Sequence, residues 1–197
     1  MTSPLRPDLA VIARHVPAGA RVLDIGCGDG ALMAVLRDEH GVDARGLELD
    51  PENVELCVSR GLSVIQGDAD RDLAEYPDGA YDFAILSQTL QTARRPDLML
   101  EQLLRVGRRA FVSFPNFGYW RMRLDLLLHG RMPVTRHLPV TWYETDNIHH
   151  LTIADFEQLL RDKGVQVEKS WFFTQDREVG ATVANWRAEY AVYLVRR

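Results

Sequence analysis

The run Arg21-Val-Leu-Asp-Ile-Gly-Cys-Gly-Asp-Gly-Ala31 constrains this chain more than any other stretch. Val22, Leu23 and Ile25 predict a buried parallel strand, and the glycines after them predict a tight turn into a helix. Glycine carries no Cβ, so a ligand can lie directly against such a turn. Asp24 puts a carboxylate at the mouth of the strand, immediately before the turn. A dinucleotide site at this place would bring a pyrophosphate and the spacing G-x-G-x-x-G. The spacing here is G-x-G-x-G, at Gly26, Gly28 and Gly30, and a fixed negative charge repels phosphate. The run therefore favours a phosphate-free ligand with a cationic end. S-adenosylmethionine, with a sulfonium and an ammonium, has that chemistry.

Strand and helix patterns alternate through most of the chain, which predicts an α/β domain with a mostly parallel sheet and helices on both faces. Strands are expected at Arg21 to Ile25, Ala44 to Leu49, Leu62 to Gln66, Tyr81 to Ser87 and Arg109 to Phe114. Helices are expected at Leu9 to His15, from about Gly30 to Glu39, from Pro51 to Ser59 and at Pro96 to Val106. After an irregular stretch, Thr152 to Lys163 reads as a helix with a Thr152–Asp155 capping box. Val165 to Phe173 and Glu189 to Val195 then predict a terminal antiparallel pair. The whole of 1–197 reads as one domain, with 117–150 as an inserted aromatic and basic segment.

In an open sheet of this kind, ligands bind at the carboxyl ends of the strands. Those ends carry Asp24, then Glu48 and Leu49, then Asp68 and Ala69, then Ser87 and Gln88. Glu48 is placed to accept two ribose hydroxyls and Asp68 an adenine amino group, while Ser87-Gln88 would line the sulfonium and amino-acid end. Unpaired buried charge is expensive, so three strand-end carboxylates in register point to a ligand. With Gly26, Cys27, Gly28 and Gly30 they form the expected site for S-adenosylmethionine or S-adenosylhomocysteine.

This set resembles the class I S-adenosylmethionine-dependent methyltransferases, through Val22-Leu-Asp-Ile-Gly-Cys-Gly-Asp-Gly30 and Leu47-Glu-Leu-Asp50. That likeness implies a Rossmann-like, seven-stranded sheet in the order 3-2-1-4-5-7-6, with an antiparallel last strand. Within it, Pro115-Asn-Phe-Gly-Tyr-Trp-Arg-Met-Arg123, Gly130-Arg-Met-Pro-Val-Thr135 and Trp142-Tyr-Glu-Thr-Asp-Asn-Ile-His149 resemble the methionine-biosynthesis protein MetW family. The family resemblance implies a role in methionine synthesis beside a homoserine O-acyltransferase. The alternative is a methyltransferase acting on a small-molecule acceptor.

No catalytic base is evident near the expected sulfonium position. Ser87-Gln-Thr-Leu-Gln91 holds no His, Asp, Glu or Lys, and Asn116 is neutral. Tyr119, Asp146, His149 and His150 remain, each with a structural role as the commoner explanation; adjacent His149 and His150 diverge and make a poor metal pair. Little precedes the first strand beyond one short helix, so the site is expected to stand open or to be covered by another protein.

Tyr119 to His129 predicts an amphipathic helix ended by Gly130, and its leucines exceed what one buried face requires. Tyr119, Trp120, Arg121 and Arg123 are residue types favoured at protein interfaces, which marks them as partner contacts. A net charge of −5 argues against a nucleic-acid surface. The apolar run Leu124 to Leu128 is too short to span a bilayer. Two cysteines, Cys27 and Cys57, are expected as free thiols in a reducing cytoplasm.

Overall fold

A computed structural model describes residues 5–135 and 140–197. Its first half runs α1 (Pro7–His15), β1 (Arg21–Ile25), α2 (Ala31–His40), β2 (Asp43–Glu48), α3 (Pro51–Ser59) and β3 (Ser63–Gln66). There follow a short α4 (Ala69–Asp72), β4 (Tyr81–Ser87), α5 (Pro96–Val106), β5 (Gly107–Pro115) and α6 (Trp120–His129). The chain closes with α7 (Ile153–Asp162), β6 (Gln166–Thr174), β7 (Arg177–Glu178), α8 (Ala184–Arg187) and β8 (Tyr190–Arg196).

Local chemistry sets these boundaries. Gly41, in the left-handed region at φ +60°, stops α2. Asp50 caps α3 by accepting from the Glu52 amide, with Pro51 behind it at the first helical position. Thr152 and Asp155 form the reciprocal capping box of α7.

The strands form one sheet in the order β3-β2-β1-β4-β5-β8-β6-β7. Pairs from β3 through β5 are parallel, and β8 lies antiparallel between β5 and β6. The sheet has eight strands where seven are expected. The addition is β7, which folds back on the end of β6 through the pairs Phe173↔Glu178 and Thr174↔Arg177. Two residues are too few to show an alternating pattern, so nothing in the sequence marks this strand.

Side chains alternate across the sheet and feed two cores. Leu23, Ile25, Ala84 and Leu86 pack with Leu100 and Leu103 of α5 and Phe156 of α7. Val22, Phe83 and Ile85 face the other way, against Ile12 of α1 and Leu36 of α2. A smaller cluster of Cys27, Met33, Cys57 and Leu62 joins the glycine turn to α2 and α3. Asp24 follows Val22 by two residues, so it faces the α1–α2 side. No helix among the described residues is long and apolar enough to cross a membrane.

Candidate functional site

A cleft of about 420 Å³ opens at the carboxyl ends of β1 and β4, beneath the start of α1. Asp24, Gly26, Cys27, Gly28, Ser87 and Gln88 line it. Asp24 is 3% exposed, and no donor among the described residues hydrogen-bonds its carboxylate. Burial raises its pKa to about 7; Arg6 works against that rise, and Glu48 and Asp8 add to it. Gly46, opposite Asp24 in β2, leaves this layer room: a Cβ there would lie 2.6 Å from the Cys27 sulfur.

The glycine turn is held from the side by Glu48. Its Oε2 accepts from the Gly28 amide at 2.7 Å, and its Oε1 accepts from the Leu49 and Asp50 amides at 3.0 Å each. Gly26, Gly28 and Gly30 all take positive φ, but they face different surroundings. A Cβ on Gly28 would meet nothing within 4 Å, whereas one on Gly30 would run into Leu62 and Cys57. Gly28 thus leaves the turn unobstructed, and Gly30 serves the packing of α2 on α3. Cys27 and Cys57 are free thiols, and burial pushes both up from the usual thiol range.

The remaining predicted positions lie outside the cleft wall. Asp68 caps α4, its Oδ1 accepting from the Asp70 amide at 3.0 Å. Ala69 borders a separate hollow with Arg94 and Leu98. Leu49 projects into solvent at the end of β2.

Sequence reasoning missed the contribution of α1. Asp8 is buried, and its Oδ2 accepts from Ser87 Oγ at 2.8 Å, Ser113 Oγ at 3.1 Å and an Arg6 guanidinium nitrogen at 3.3 Å. Arg6 also donates to Ser87 Oγ at 3.1 Å, and with Leu5 and Leu9 it covers the cleft. An acid in the first turn of a helix is common on dipole grounds alone, so Asp8 gave no signal of its destination.

Beyond Arg6 and Gln88 lies a second cavity, of about 450 Å³, which Asp8 also lines. Asn116, the residue after Pro115 of that lining, is a structural hub. Its Nδ2 donates to the Ala188 carbonyl at 2.8 Å, while its Oδ1 accepts from the Gly118 and Ile153 amides. His150 packs edge-on against Phe117, and the His149 ring lies 3.4 Å from the Arg94 carbonyl oxygen. No group of three or more metal-ligating side chains occurs among the described residues.

The 117–150 segment contributes α6, closed by Gly130 at φ +60°. Only Met122 of this helix is buried; Leu124, Leu126, Leu127 and Leu128 are exposed. Tyr119, expected as a surface contact, is instead 6% exposed and part of the core, because the turn after Asn116 directs it inward. Arg121 lies over the Trp120 ring, and Arg123 over Trp186.

The strand order is that of the Rossmann-like fold of class I S-adenosylmethionine-dependent methyltransferases. A methyltransferase structure from Archaeoglobus fulgidus superposes with a TM-score of 0.69 over 96% of this chain and 92% of that one, at 17% identity. The family described as methionine biosynthesis protein MetW matches residues 6–195, and the chain belongs to it. A bifunctional methionine biosynthesis protein MetXA/MetW from Rhodopirellula baltica is 36% identical over 88% of this chain, which spans 29% of that protein's length. A ubiquinone biosynthesis O-methyltransferase from Xanthomonas axonopodis pv. citri is 30% identical over 80% of this chain and 67% of its own.

Proposed function

We propose that this protein binds S-adenosylmethionine and serves as an accessory subunit of a homoserine O-acyltransferase in methionine synthesis. The observation that carries the cofactor reading is Asp24, a buried carboxylate that lines the cleft without a donor of its own. A buried anion needs a cation, and the sulfonium or ammonium of this ligand supplies one. Asp24, Gly26, Cys27 and Gly28 would hold the amino-acid end, with Ser87 and Gln88 across the cleft. Glu48, Leu49, Asp68 and Ala69 would receive the adenosine, and Gly30 would shape the turn from beneath. The fit supports the reading: Gly28 is open, and Glu48 retains acceptor capacity beyond its three amides.

Support for the acyltransferase comes from the family and from the relative whose name joins MetXA to MetW. The exposed leucines of α6, with Trp120 and Arg121, offer an apolar and basic surface for that partner. S-adenosylmethionine would then act as a feedback signal, through unequal affinity for two states of the complex. Titration of S-adenosylmethionine into an acyltransferase assay, with and without this chain, tests the scheme. A rate that responds only when the chain is present supports it, and a rate that never responds overturns it.

The second cavity favours one other reading, methyl transfer to a small molecule, because it gives an acceptor room beside the cleft. The cofactor would supply the methyl group on a good leaving group, and the chain would hold the acceptor in line. Production of S-adenosylhomocysteine over a panel of hydroxyl and amine compounds decides between the two readings.

A further inference from the structure

Two thiols meet beside the glycine turn, and neither functional reading uses their chemistry. Cys27 belongs to the turn, lines the cleft and is 9% exposed, while Cys57 sits in the last turn of α3 and is fully buried. Cys57 Sγ donates to the Gly28 carbonyl oxygen at 3.3 Å, and Cys27 Sγ lies 3.9 Å from the same oxygen. The two side chains also hydrogen-bond to each other. Glycines make room for this contact. A Cβ on Gly46 would lie 2.6 Å from the Cys27 sulfur, and one on Gly30 would lie 2.8 Å from the Cys57 sulfur. Met33 and Leu62 pack with the pair, so Cys27 is the sulfur that a reagent in the cleft meets first.

We propose that Cys27 and Cys57 are a redox pair that closes to a disulfide and locks the glycine turn onto α3. The oxidant is a small disulfide of the glutathione class. Cys27, as its thiolate, attacks one sulfur of that disulfide; the S–S bond breaks, a mixed disulfide forms on Cys27, and the departing thiolate takes up the proton. Cys57 then loses its proton and displaces the second small thiol in the same way. Two protein thiols are oxidised, and one small disulfide is reduced to two thiols. Only the first step needs access from the cleft; the second joins side chains already in contact. Burial holds both thiols protonated, which slows the attack but also withholds the thiolate stabilisation that favours a reduced pair.

Closure changes the turn as well as the sulfurs. A disulfide carries no S–H, so the Gly28 carbonyl loses its thiol donors while the Gly28 amide stays on Glu48. The effect on the ligand rests on the cofactor reading: the oxidised chain binds S-adenosylmethionine more weakly, and bound S-adenosylmethionine covers Cys27 and slows oxidation.

The folded full chain, incubated with oxidised glutathione, then alkylated, digested and read by mass spectrometry, tests this. A Cys27–Cys57 linked peptide is expected, reversed by dithiothreitol. Cys57→Ala should stop at the glutathione adduct on Cys27. Thermal melts should place the oxidised chain about 5 °C or more above the reduced one, since the bond closes a long loop. Calorimetry should show S-adenosylmethionine bound several-fold more weakly by the oxidised chain. Thiols that stay free under oxidised glutathione would overturn the proposal, as would a bond that forms only after unfolding or one that leaves the melt unchanged. Equal affinity of both forms for S-adenosylmethionine would overturn the coupling to the turn. If neither form binds S-adenosylmethionine, the cofactor reading falls, and the redox pair is still decided by mass and melt.

Discussion

Glu48 Oε2 accepts the backbone N–H of Gly28 at 2.7 Å, across twenty positions of sequence. This contact ties the end of β2 to the middle of the glycine turn. The second oxygen of the same carboxylate holds the Leu49 and Asp50 amides, so one side chain organises both the turn and the start of the next connection. Replacing it with Gln leaves one end of the group as a donor facing an N–H. Glu48→Gln is expected to destabilise the fold by about 1–3 kcal/mol. Chemical denaturation measures that cost, and calorimetry should show S-adenosylmethionine binding weakened at least tenfold.

Asp24 makes stability depend on pH. Its pKa is raised by burial from 3.8 to about 7, so between those values the folded chain keeps a proton that the unfolded chain has released. Stability contributed by this group is therefore present below pH 4 and declines as pH rises toward 7, by up to about 1.4 kcal/mol per unit. Asp24→Asn should remove that slope and raise the denaturation midpoint at pH 8.

The same charge should govern the ligand. S-adenosylmethionine affinity is expected to rise from pH 5 to pH 7 and then level, because the cation needs the ionised carboxylate. Asp24→Asn should weaken binding roughly 10- to 100-fold by removing a charge-assisted contact. A flat affinity between pH 5 and pH 8 would count against Asp24 as the cationic end's partner.

Gly28 and Gly30 should fail differently. Alanine at Gly28 meets no neighbour, so its folding cost is the left-handed backbone alone, about 1–2 kcal/mol. Its new methyl group fills the approach to the turn, and ligand binding should be lost while the fold survives. Alanine at Gly30 bears the same backbone cost and also overlaps Leu62 and Cys57, adding roughly 1–3 kcal/mol of overpacking. Thermal melts beside ligand titrations separate the two outcomes.

The α6 surface can be tested without touching the cleft. Leu127 is 80% exposed, so Leu127→Glu should change folding stability by no more than about 0.5 kcal/mol. Co-elution with the homoserine O-acyltransferase should be lost, while S-adenosylmethionine binding stays as in the parent chain. Retained co-elution would move the partner surface elsewhere.

Local chemistry in the sequence determined the parts of this protein that need only neighbours to form. The Val22 to Ile25 strand, the glycine turn after it, the Pro51 helix start and the Thr152–Asp155 box are each specified within a few residues, and all stand in the structure. Alternation of strands and helices carried the parallel core of the sheet, because burial on both faces demands continuous apolar strands such as Phe83 to Leu86. Tertiary packing alone decided the rest. It brought Asp8 from the first helix to Ser87 and Ser113, and it tied Asn116 to the Ala188 carbonyl and the Ile153 amide. Each of these depends on contacts between residues far apart in the chain, and a carboxylate or amide reads the same in sequence whether it caps a helix, meets solvent or lines a cavity.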